Sequence, residues 1–321
     1  MKASEKGASL LTVMMIVALI SAVAVGVTSD LTRSIGVART SGARIDIHWT
    51  ARSAVLASSA IISSVLVNER NTWPYPQSLA PEPVIVPLEA GEVVITFEDV
   101  SNCFNLNMLA GPTGEPDLPT IQAFVRLLEG IGLDQSLASA LASAAADWTD
   151  ADDAPLPDGA EAGWYIDASV PHGTSGEPFV SLSELRAVRG FDPEILTAIR
   201  PFLCIGEPGV ASRLNLNTLS PEQAVLLPSF FSAGLDIQTA QRLIKERPVA
   251  GWQSVDEFLA LDDVSRLAEE IRDSTVLSIE TSRIRSHMTL NVGEQQRDYT
   301  VVFDRQGDGT YLPGRLEEVF D

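Results

Sequence analysis

The stretch ASLLTVMMIVALISAVAVGV, residues 8–27, contains no charged side chain. As an α-helix it would be about 30 Å long, which matches the thickness of the hydrocarbon core of a bilayer. A secretory signal peptide has a shorter apolar region that ends in a small-residue cleavage site, whereas this run has full spanning length. We therefore expect residues 8–27 to form a membrane-spanning helix that the mature chain retains.

A polar leader, MKASEKG (residues 1–7), precedes the span and carries Lys2 and Lys6. Lys6-Gly7 followed at once by a retained apolar helix resembles the leader of type IV pilins and pseudopilins. The alternative is an ordinary N-terminal anchor. A positive flank stays cytoplasmic, so the chain from about Asp30 onward is predicted to lie outside the inner membrane, in a bacterial periplasm.

The composition argues against nucleic-acid binding. The chain has 43 acidic and 22 basic residues and a net charge of -21, whereas affinity for nucleic acid comes from neutralised phosphates. Hydrophobic residues make up 45% of the sequence, which excludes a disordered chain. The chain holds two cysteines, Cys103 and Cys204. In an exported protein they are predicted to form a disulfide, with two buried thiols as the alternative.

A long helix is predicted from residue 8 to about Asn68, because no proline interrupts this part of the chain. Beyond the span, apolar residues recur roughly at helical spacing: Leu31, Ile35, Ala38, Ile45, Trp49, Leu56, Ala60 and Leu66. The polar second half cannot be a second span. We therefore expect its apolar stripe to pack on a globular domain.

Strands are predicted on both sides of a large helical region. β-Branched and aromatic residues favour a strand at 92–100, and period-2 alternation favours strands at 276–284, 286–292 and 297–304. The proline-rich stretch 71–87 cannot be regular helix. These patterns predict an α+β, pilin-like fold, a long N-terminal helix on an antiparallel sheet, with a large all-α domain inserted between strands. The predicted boundaries are 1–7 for the leader, 8–27 for the span, 28–101 and 273–321 for the pilin-like domain, and 102–272 for the insert.

The helical region repeats a short motif. Asn105-Leu-Asn107 and Asn215-Leu-Asn217 each precede helix-forming sequence, which predicts two small helical units with an Asn-Leu-Asn entry turn. Residues 235–259 resemble a helix-hairpin-helix or SAM-like unit. Such hairpins often bind DNA, but nearby acidic residues offset the few basic ones, so a packing or protein-binding module is favoured. A membrane-anchored, competence-type DNA-binding protein is the alternative.

An acidic loop at residues 147–161 is the candidate metal site. It contains six carboxylates within fifteen residues: Asp147, Asp150, Asp152, Asp153, Asp158 and Glu161. Alternate Asp residues followed by a Gly and a Glu suit a hard, oxygen-ligated ion such as Ca²⁺. The loop does not match an EF-hand. A solvated acidic turn without an ion is the alternative.

Catalytic motifs are missing from the sequence. It contains no nucleophile-elbow motif, phosphate-binding loop or dinucleotide fingerprint. We therefore predict a non-enzymatic protein without a small-molecule substrate. The weaker alternative is an anchored periplasmic hydrolase that uses the acidic carboxylates as acid and base.

Several motifs, in this order and spacing, resemble the type II secretion minor pseudopilin K family (general secretion pathway protein K). They are Lys6-Gly7-Ala8, Asp147-Trp-x-Asp-x-Asp with Gly159-Ala-Glu161, Ser181-Leu-Ser-Glu-Leu-Arg-x-Val-Arg-Gly190, Arg200-Pro-Phe-Leu-Cys204 and Leu214-Asn-Leu-Asn-Thr218. The resemblance covers nearly the whole chain. It implies a subunit that caps the tip of the periplasmic pseudopilus with the I and J minor pseudopilins and helps to start fibre assembly.

The resemblance also implies residue roles. A prepilin peptidase would cut after Gly7 and methylate the new amino group of Ala8. Calcium is expected in the inserted domain, with Asp147, Asp150, Asp152 and Glu161 as ligands and Asp153 and Asp158 as further candidates.

The fifth residue after the predicted cleavage is Thr12. Ordinary pilins carry Glu there, which can pair with a neighbour's terminal ammonium in the apolar fibre core. A buried carboxylate without a cation is costly. Thr12 therefore suits a subunit with no pilin above it.

Overall fold

The computed structural model describes residues 4–68, 83–88, 91–167, 171–231, 234–265, 276–293 and 295–319. The helices are α1 (Ser4–Asn68), α2 (Leu118–Gly130), α3 (Gln135–Thr149), α4 (Ala162–Ile166), α5 (Pro193–Ile199), α6 (Leu226–Phe230), α7 (Ile237–Lys245), α8 (Val255–Leu259) and α9 (Asp262–Ser265). The strands are β1 (Val84–Leu88), β2 (Gly91–Asp99), β3 (Phe104–Asn105), β4 (Leu203–Cys204), β5 (Leu214–Asn215), β6 (Leu277–Ser278), β7 (Arg283–Val292), β8 (Gln295–Arg305) and β9 (Tyr311–Val319).

The predicted long helix is confirmed as the single, 65-residue α1. Its segment Leu10–Gly36 is apolar and long enough to cross a membrane, and none of it is buried against the rest of the chain. Gly7 and Ala8 lie in the first turns of α1, and Thr12 lies on the exposed surface of this segment. A helix that spans a membrane satisfies its backbone hydrogen bonds within itself, so a segment of this kind needs no partner within its own chain.

An antiparallel sheet in the order β1-β2-β7-β8-β9 packs against the second half of α1. Alternate residues of its strands face the helix and form the core, among them Ile95, Phe97, Met288 and Phe303. β2 and β7 are neighbours, with Phe97 opposite Ser286. Since 183 positions separate β2 from β7 in the chain, the helical elements between them form an insertion in this sheet. The predicted fold class is confirmed.

The face of α1 that packs on the sheet is not the predicted stripe. The buried residues of this part of the helix are Ile47, Thr50, Ala51, Ala54, Ser58 and Ile62. Small side chains dominate this face and let the helix approach closely, so that the hydroxyls of Ser58 and Ser286 lie 2.9 Å apart. Ile45, Trp49 and Leu56 are 58%, 59% and 72% exposed instead. The prediction that they pack on the globular domain was wrong. The face of α1 that packs is the one whose small side chains let the helix approach the sheet closely, and not the one with the largest apolar side chains.

The inserted region contains two short parallel strand pairs, one at each Asn-Leu-Asn motif. In the first, β3 pairs in parallel with β4, and in the second, β5 pairs in parallel with β6. The Asn side chains that close the two motifs play the same role: Asn107 Nδ2 donates to the Phe179 carbonyl, and Asn217 Nδ2 donates to the Trp252 carbonyl, both at 3.0 Å. The sequence repeat therefore reflects a structural repeat.

The strand assignment needs correction at three places. Residues 276–284 do not form one strand: β6 covers two of them and pairs with β5, and β7 begins only at Arg283. The edge strands β1 and β9 were not predicted. Their prolines, Pro87 and Pro313, obscure the strand pattern, although proline is tolerated on an edge strand because no ladder partner needs its missing N–H. Most of the proline-rich stretch 71–87 lies outside the described residues.

The junction between insert and sheet is fixed by a carboxylate and a disulfide. Asp99, the last residue of β2, accepts hydrogen bonds from Asn215 (3.0 Å), Thr218 (2.7 Å) and Thr281 (2.9 Å). Cys103 and Cys204 form the predicted disulfide, with their Cα atoms 5.6 Å apart. Both features tie the entrance of the insert to residues that lie far away in the chain.

Candidate metal centre

Three carboxylates of the acidic loop converge at the end of α3. Asp147 lies in the last turn of this helix and Asp150 is its C-cap, while Glu161 immediately precedes α4. Each side chain offers one oxygen that lies within 4.8 Å of those of the other two. The chain between Asp150 and Glu161 thus forms a loop that returns to the point where it left the helix.

This group of three, here called the carboxylate cluster, is buried, and two of its members lack hydrogen-bond partners. Asp147 and Asp150 are 1% exposed and Glu161 is 6% exposed. The four carboxylate oxygens of Asp150 and Glu161 have no hydrogen-bond partner in the described part of the chain. Burying charged groups without partners is costly, and the cost falls when a cation binds them. An all-oxygen donor set of this kind suits a hard cation such as Ca²⁺.

The pKa values of the three carboxyl groups also reflect burial without a compensating positive charge. Burial, followed by repulsion from Glu161 and Asp147, raises the pKa of Asp150 to about 7. Burial, followed by repulsion from Asp147, raises the pKa of Glu161 to about 7. Burial also raises the pKa of Asp147. Among the residues that the structure describes, no cationic side chain offsets this repulsion, so each carboxyl group retains its proton to higher pH than usual.

The loop is held in place by local contacts. The Leu156 amide donates to Asp147 Oδ1 at 3.1 Å. A Cβ atom at Gly159 would lie 1.9 Å from Asp147 Oδ2, so only glycine leaves room for this carboxylate. Arg189 Nη1 donates to the Gly159 carbonyl at 2.8 Å. Asp158 adopts a left-handed conformation, with φ of 60°, which turns the chain back toward the cluster.

Two aromatic residues of the core lie close to the carboxylate cluster in the chain. Trp148 and Tyr165 make an edge-to-face contact with ring centroids 5.4 Å apart. The Tyr165 hydroxyl, which is fully buried, accepts a hydrogen bond from the Arg189 amide at 3.1 Å. The positioning roles of Gly159, Tyr165 and Arg189 were not predicted. Gly159 and Arg189 lie within the sequence motifs, but only their neighbours in space show what they do.

Only half of the predicted ligand set lies in the cluster. Asp147, Asp150 and Glu161 are brought together, whereas Asp152, Asp153 and Asp158 are exposed and lie outside the group. Asp152 Oδ1 instead accepts a hydrogen bond from the Ala154 amide at 2.7 Å, which stabilises the turn. The geometry does not support Asp152 as a ligand, or Asp153 and Asp158 as further candidates. These residues are close to the cluster in the chain, but their carboxylates do not reach the buried side of the loop.

In metal-free protein, the stability of folding is expected to fall as the pH rises from about 4 to about 7. The pKa values of Asp150 and Glu161 lie near 7 in the folded chain and at 3.8 and 4.5 otherwise. The folded chain therefore binds more protons in this window, and each step up in pH disfavours it. Thermal unfolding across this pH range, in chelator, measures the effect. An Asp150→Asn, Glu161→Gln variant lacks both titrating groups and should lose this pH dependence. If the stability of the variant falls with pH as steeply as that of the parent, the prediction is wrong.

Within the described part of the second unit, two basic side chains near the hairpin turn are engaged by the protein itself. Arg247, one of the three basic residues near its turn, is 7% exposed and donates to the carbonyls of Leu216 and Leu219. Arg242 is paired with Asp263 at 2.7 Å. These contacts stabilise the hairpin and leave the side chains of Arg242 and Arg247 less able to bind a DNA phosphate. The structure thus supports a packing module over the DNA-binding alternative.

Comparison with known proteins gives one family. Models described as type II secretion system (T2SS), protein K, match residues 102–207 and 214–280. Type II secretion system protein K of Klebsiella pneumoniae is 27% identical over 307 residues, which cover 94% of this chain and 93% of the relative. A protein K relative from Escherichia coli (strain K12) is 30% identical over 273 residues, 81% of this chain and 80% of the relative.

A solved structure shows the same fold. One chain of the crystal structure of the GspK-GspI-GspJ complex from the enterotoxigenic Escherichia coli type 2 secretion system superposes with a TM-score of 0.69 at 24% identity. The match covers 85% of this chain and 97% of that one. The carboxylate cluster and both Asn-Leu-Asn motifs lie within the residues that the family models match. The chain therefore belongs to the type II secretion system protein K family.

Proposed function

We propose that this chain is a non-catalytic minor pseudopilin, which assembles with I- and J-type minor pseudopilins for the export of folded proteins. Family membership supports this role, and the similar chain was crystallised in a GspK-GspI-GspJ complex. The single structural observation that carries the proposal is the exposed apolar face of α1. That face is directed away from the chain's own sheet and needs a partner.

The exposed face has a regular spacing. Ile45, Trp49, Arg52 and Leu56 follow one another at intervals of four, three and four residues, and we call them the α1 stripe. All four are exposed, and the Arg52 guanidinium lies 5.8 Å from the Trp49 ring centre. Three of the four are apolar, and side chains at alternating intervals of three and four residues are what helices present to each other when they pack at a shallow left-handed crossing. The partner of this stripe is therefore a second long helix, as in another pseudopilin.

A tip position within the fibre accounts for two further features. The inserted domain adds bulk to one end of the sheet and would obstruct a subunit stacked above it. Thr12 occupies the position where ordinary pilins carry a Glu, whose buried carboxylate would need the terminal ammonium of a neighbouring subunit. A subunit that caps the fibre, or starts its assembly, needs no such neighbour. Both features support capping and initiation.

Processing and orientation follow from the leader. We infer that a prepilin peptidase cuts after Gly7 and methylates Ala8. The lysines before the span keep the N-terminus in the cytoplasm and place the sheet and insert in the periplasm, anchored in the inner membrane by one span. An oxidising periplasm is consistent with the Cys103–Cys204 bond.

We also propose that the carboxylate cluster binds structural calcium. Asp147, Asp150 and Glu161 would hold the ion, and the orphaned oxygens of Asp150 and Glu161 support this assignment. The ion would supply positive charge that neutralises the repelling carboxylates. Gly159 and Arg189 keep the loop in the geometry that brings the three together.

Charging the α1 stripe is expected to prevent assembly with the partner pseudopilins. A Trp49→Asp, Leu56→Asp variant of the full chain removes two large apolar side chains, each worth about 1.5–3 kcal/mol when buried, and adds two charges. We expect recovery of I- and J-type partners by co-purification in detergent to fall by about tenfold or more.

A matched control tests whether position matters. Val249 is also apolar and is 95% exposed, on a loop of the second helical unit. Val249→Asp should leave partner recovery unchanged. Because the stripe residues are exposed in the single chain, the variant should keep the parent melting temperature. Normal partner recovery by the stripe variant would refute the proposed interface.

A further inference from the structure

The inserted domain carries a groove that is distinct from both the α1 stripe and the carboxylate cluster. Its volume is about 500 Å³ and one side is open to solvent. One wall is the 3₁₀ helix Leu182–Arg186 and the other is α5, which contacts it. A space of this size accommodates a few side chains of a bound segment.

The two walls repeat a sequence pattern. Leu182-Ser-Glu-Leu185-Arg186 forms one wall and Leu196-Thr-Ala-Ile199-Arg200 continues along the other. The second apolar residue of each segment, Leu185 or Ile199, is buried at the bottom of the groove, with 1% and 0% exposure. The first apolar residue of each wall remains half-buried and reachable. The groove thus has an apolar floor, two apolar walls and an arginine at the end of each wall.

The charge of the groove is opposite to that of the protein. Its lining contains Arg186 and Arg200 but no carboxylate, in a chain of net charge -21. Both arginines are exposed, and neither joins an ion pair within the described residues. Nearby acidic side chains are engaged elsewhere: Glu184 accepts from the Ser181 amide at 2.7 Å, and Asp192 accepts from the Ile195 amide at 2.9 Å.

The cationic character is confined to the groove. A second cleft of about 740 Å³ shares Leu182, Arg200 and Leu203 with it, but its lining contains the acidic residues Glu98, Asp99 and Glu222 as well as Arg283 and Arg285. These last two are paired with Asp304 and Glu98, so the uncompensated charge remains at Arg186 and Arg200. Complementary charge gives an interface its specificity and speeds association.

We propose that this groove docks an acidic amphipathic helix of a partner protein. The leucines and isoleucines of one helical face would enter the groove, and carboxylates beside that face would meet Arg186 and Arg200. Helices bind grooves between helical walls in this way, through apolar side chains spaced three and four residues apart. Because the groove lies on the insert, such a partner can bind while α1 packs with other pseudopilins.

A peptide pair tests the proposal on the full chain in detergent. The probe is a fluorescein-labelled helical peptide of about 15 residues, with leucines at positions i, i+4 and i+7 flanked by two glutamates. The control peptide has the same sequence with glutamines in place of the two glutamates. Fluorescence anisotropy is expected to show binding of the glutamate peptide at least about tenfold tighter, with a preference that declines as salt rises.

Variants connect binding to the groove. Arg186→Gln with Arg200→Gln should abolish the preference for glutamate, and Leu196→Asp should abolish binding of both peptides. Arg315→Gln is the matched control, since Arg315 is exposed on β9 far along the chain from the groove. The α1 stripe variant should still bind the peptide, which separates this proposal from the proposed assembly role. Equal binding of both peptides, no binding, or an unchanged preference in the double arginine variant would overturn it.

Discussion

Calcium is expected to raise the melting temperature of the metal-free full chain, and Asp150→Asn is expected to abolish this rise. A ligand that binds only the folded state stabilises it by about 2.7 kcal/mol at a hundred times its dissociation constant. The physical source is relief of repulsion among three buried carboxylates, two of which have no hydrogen-bond partner in the described chain. Thermal unfolding of the detergent-solubilised chain, in chelator and then with added Ca²⁺, measures the shift.

The acidic loop offers its own matched control. Asp153 is a carboxylate of the same loop but is exposed and lies outside the cluster. Asp153→Asn should therefore retain the calcium-dependent shift. In chelator, Asp150→Asn should be at least as stable as the parent, because it removes a buried charge without a partner. If the parent shows no shift with Ca²⁺, or if both variants lose it equally, the cluster is not the calcium site.

Loss of the Cys103–Cys204 bond is expected to cost about 4–5 kcal/mol of stability, the largest effect predicted for this protein. The bond joins residues 101 positions apart, so its removal frees a long loop in the unfolded chain. It also links the residue that precedes β3 to β4, at the entrance of the inserted domain. Thermal or denaturant unfolding of alanine variants, in the presence of Ca²⁺, measures this cost.

Single and double variants make this test specific. Cys103→Ala, Cys204→Ala and the double variant should lose nearly the same stability, because any one of them removes the cross-link. Reducing agent should shift the parent to the same level and leave the double variant unchanged. Additive losses from the two single variants would instead indicate that packing of the side chains, and not the cross-link, stabilises the entrance.

Features that depend on local periodicity were predictable from the sequence. The absence of proline and charge indicated one continuous helix with a span at its start, and α1 is a single helix whose first part is apolar and long enough to cross a membrane. Alternation at period 2 located β7 and β8 because one face of each strand is buried in the core. The paired Asn-Leu-Asn motifs indicated a repeated unit, because a backbone turn with the same hydrogen bonds recurs in both.

Edge strands escaped prediction for a physical reason. β9 has exposed residues along most of its length and contains Pro313, so it lacks the alternation that burial imposes on a central strand. It exists because β8 offers an unpaired edge. Pairing between strands depends on the neighbour as much as on the strand itself. The sequence of β9 alone holds little of that information.

The composition and order of the chain by themselves determined the candidate membrane span, the long helix, the inserted helical region and the acidic loop, because each follows from runs of neighbouring residues. Only the tertiary structure decided which face of α1 packs on the sheet and which carboxylates meet. Ala54 and Ser58 are buried while Trp49 is exposed, since the helix packs where its backbone can approach the strands most closely. Likewise Asp150 meets Glu161 while Asp153 faces solvent, since the loop must return past Gly159, where a side chain would collide with Asp147. Contacts between residues far apart in the chain set these choices, and local sequence patterns do not contain them.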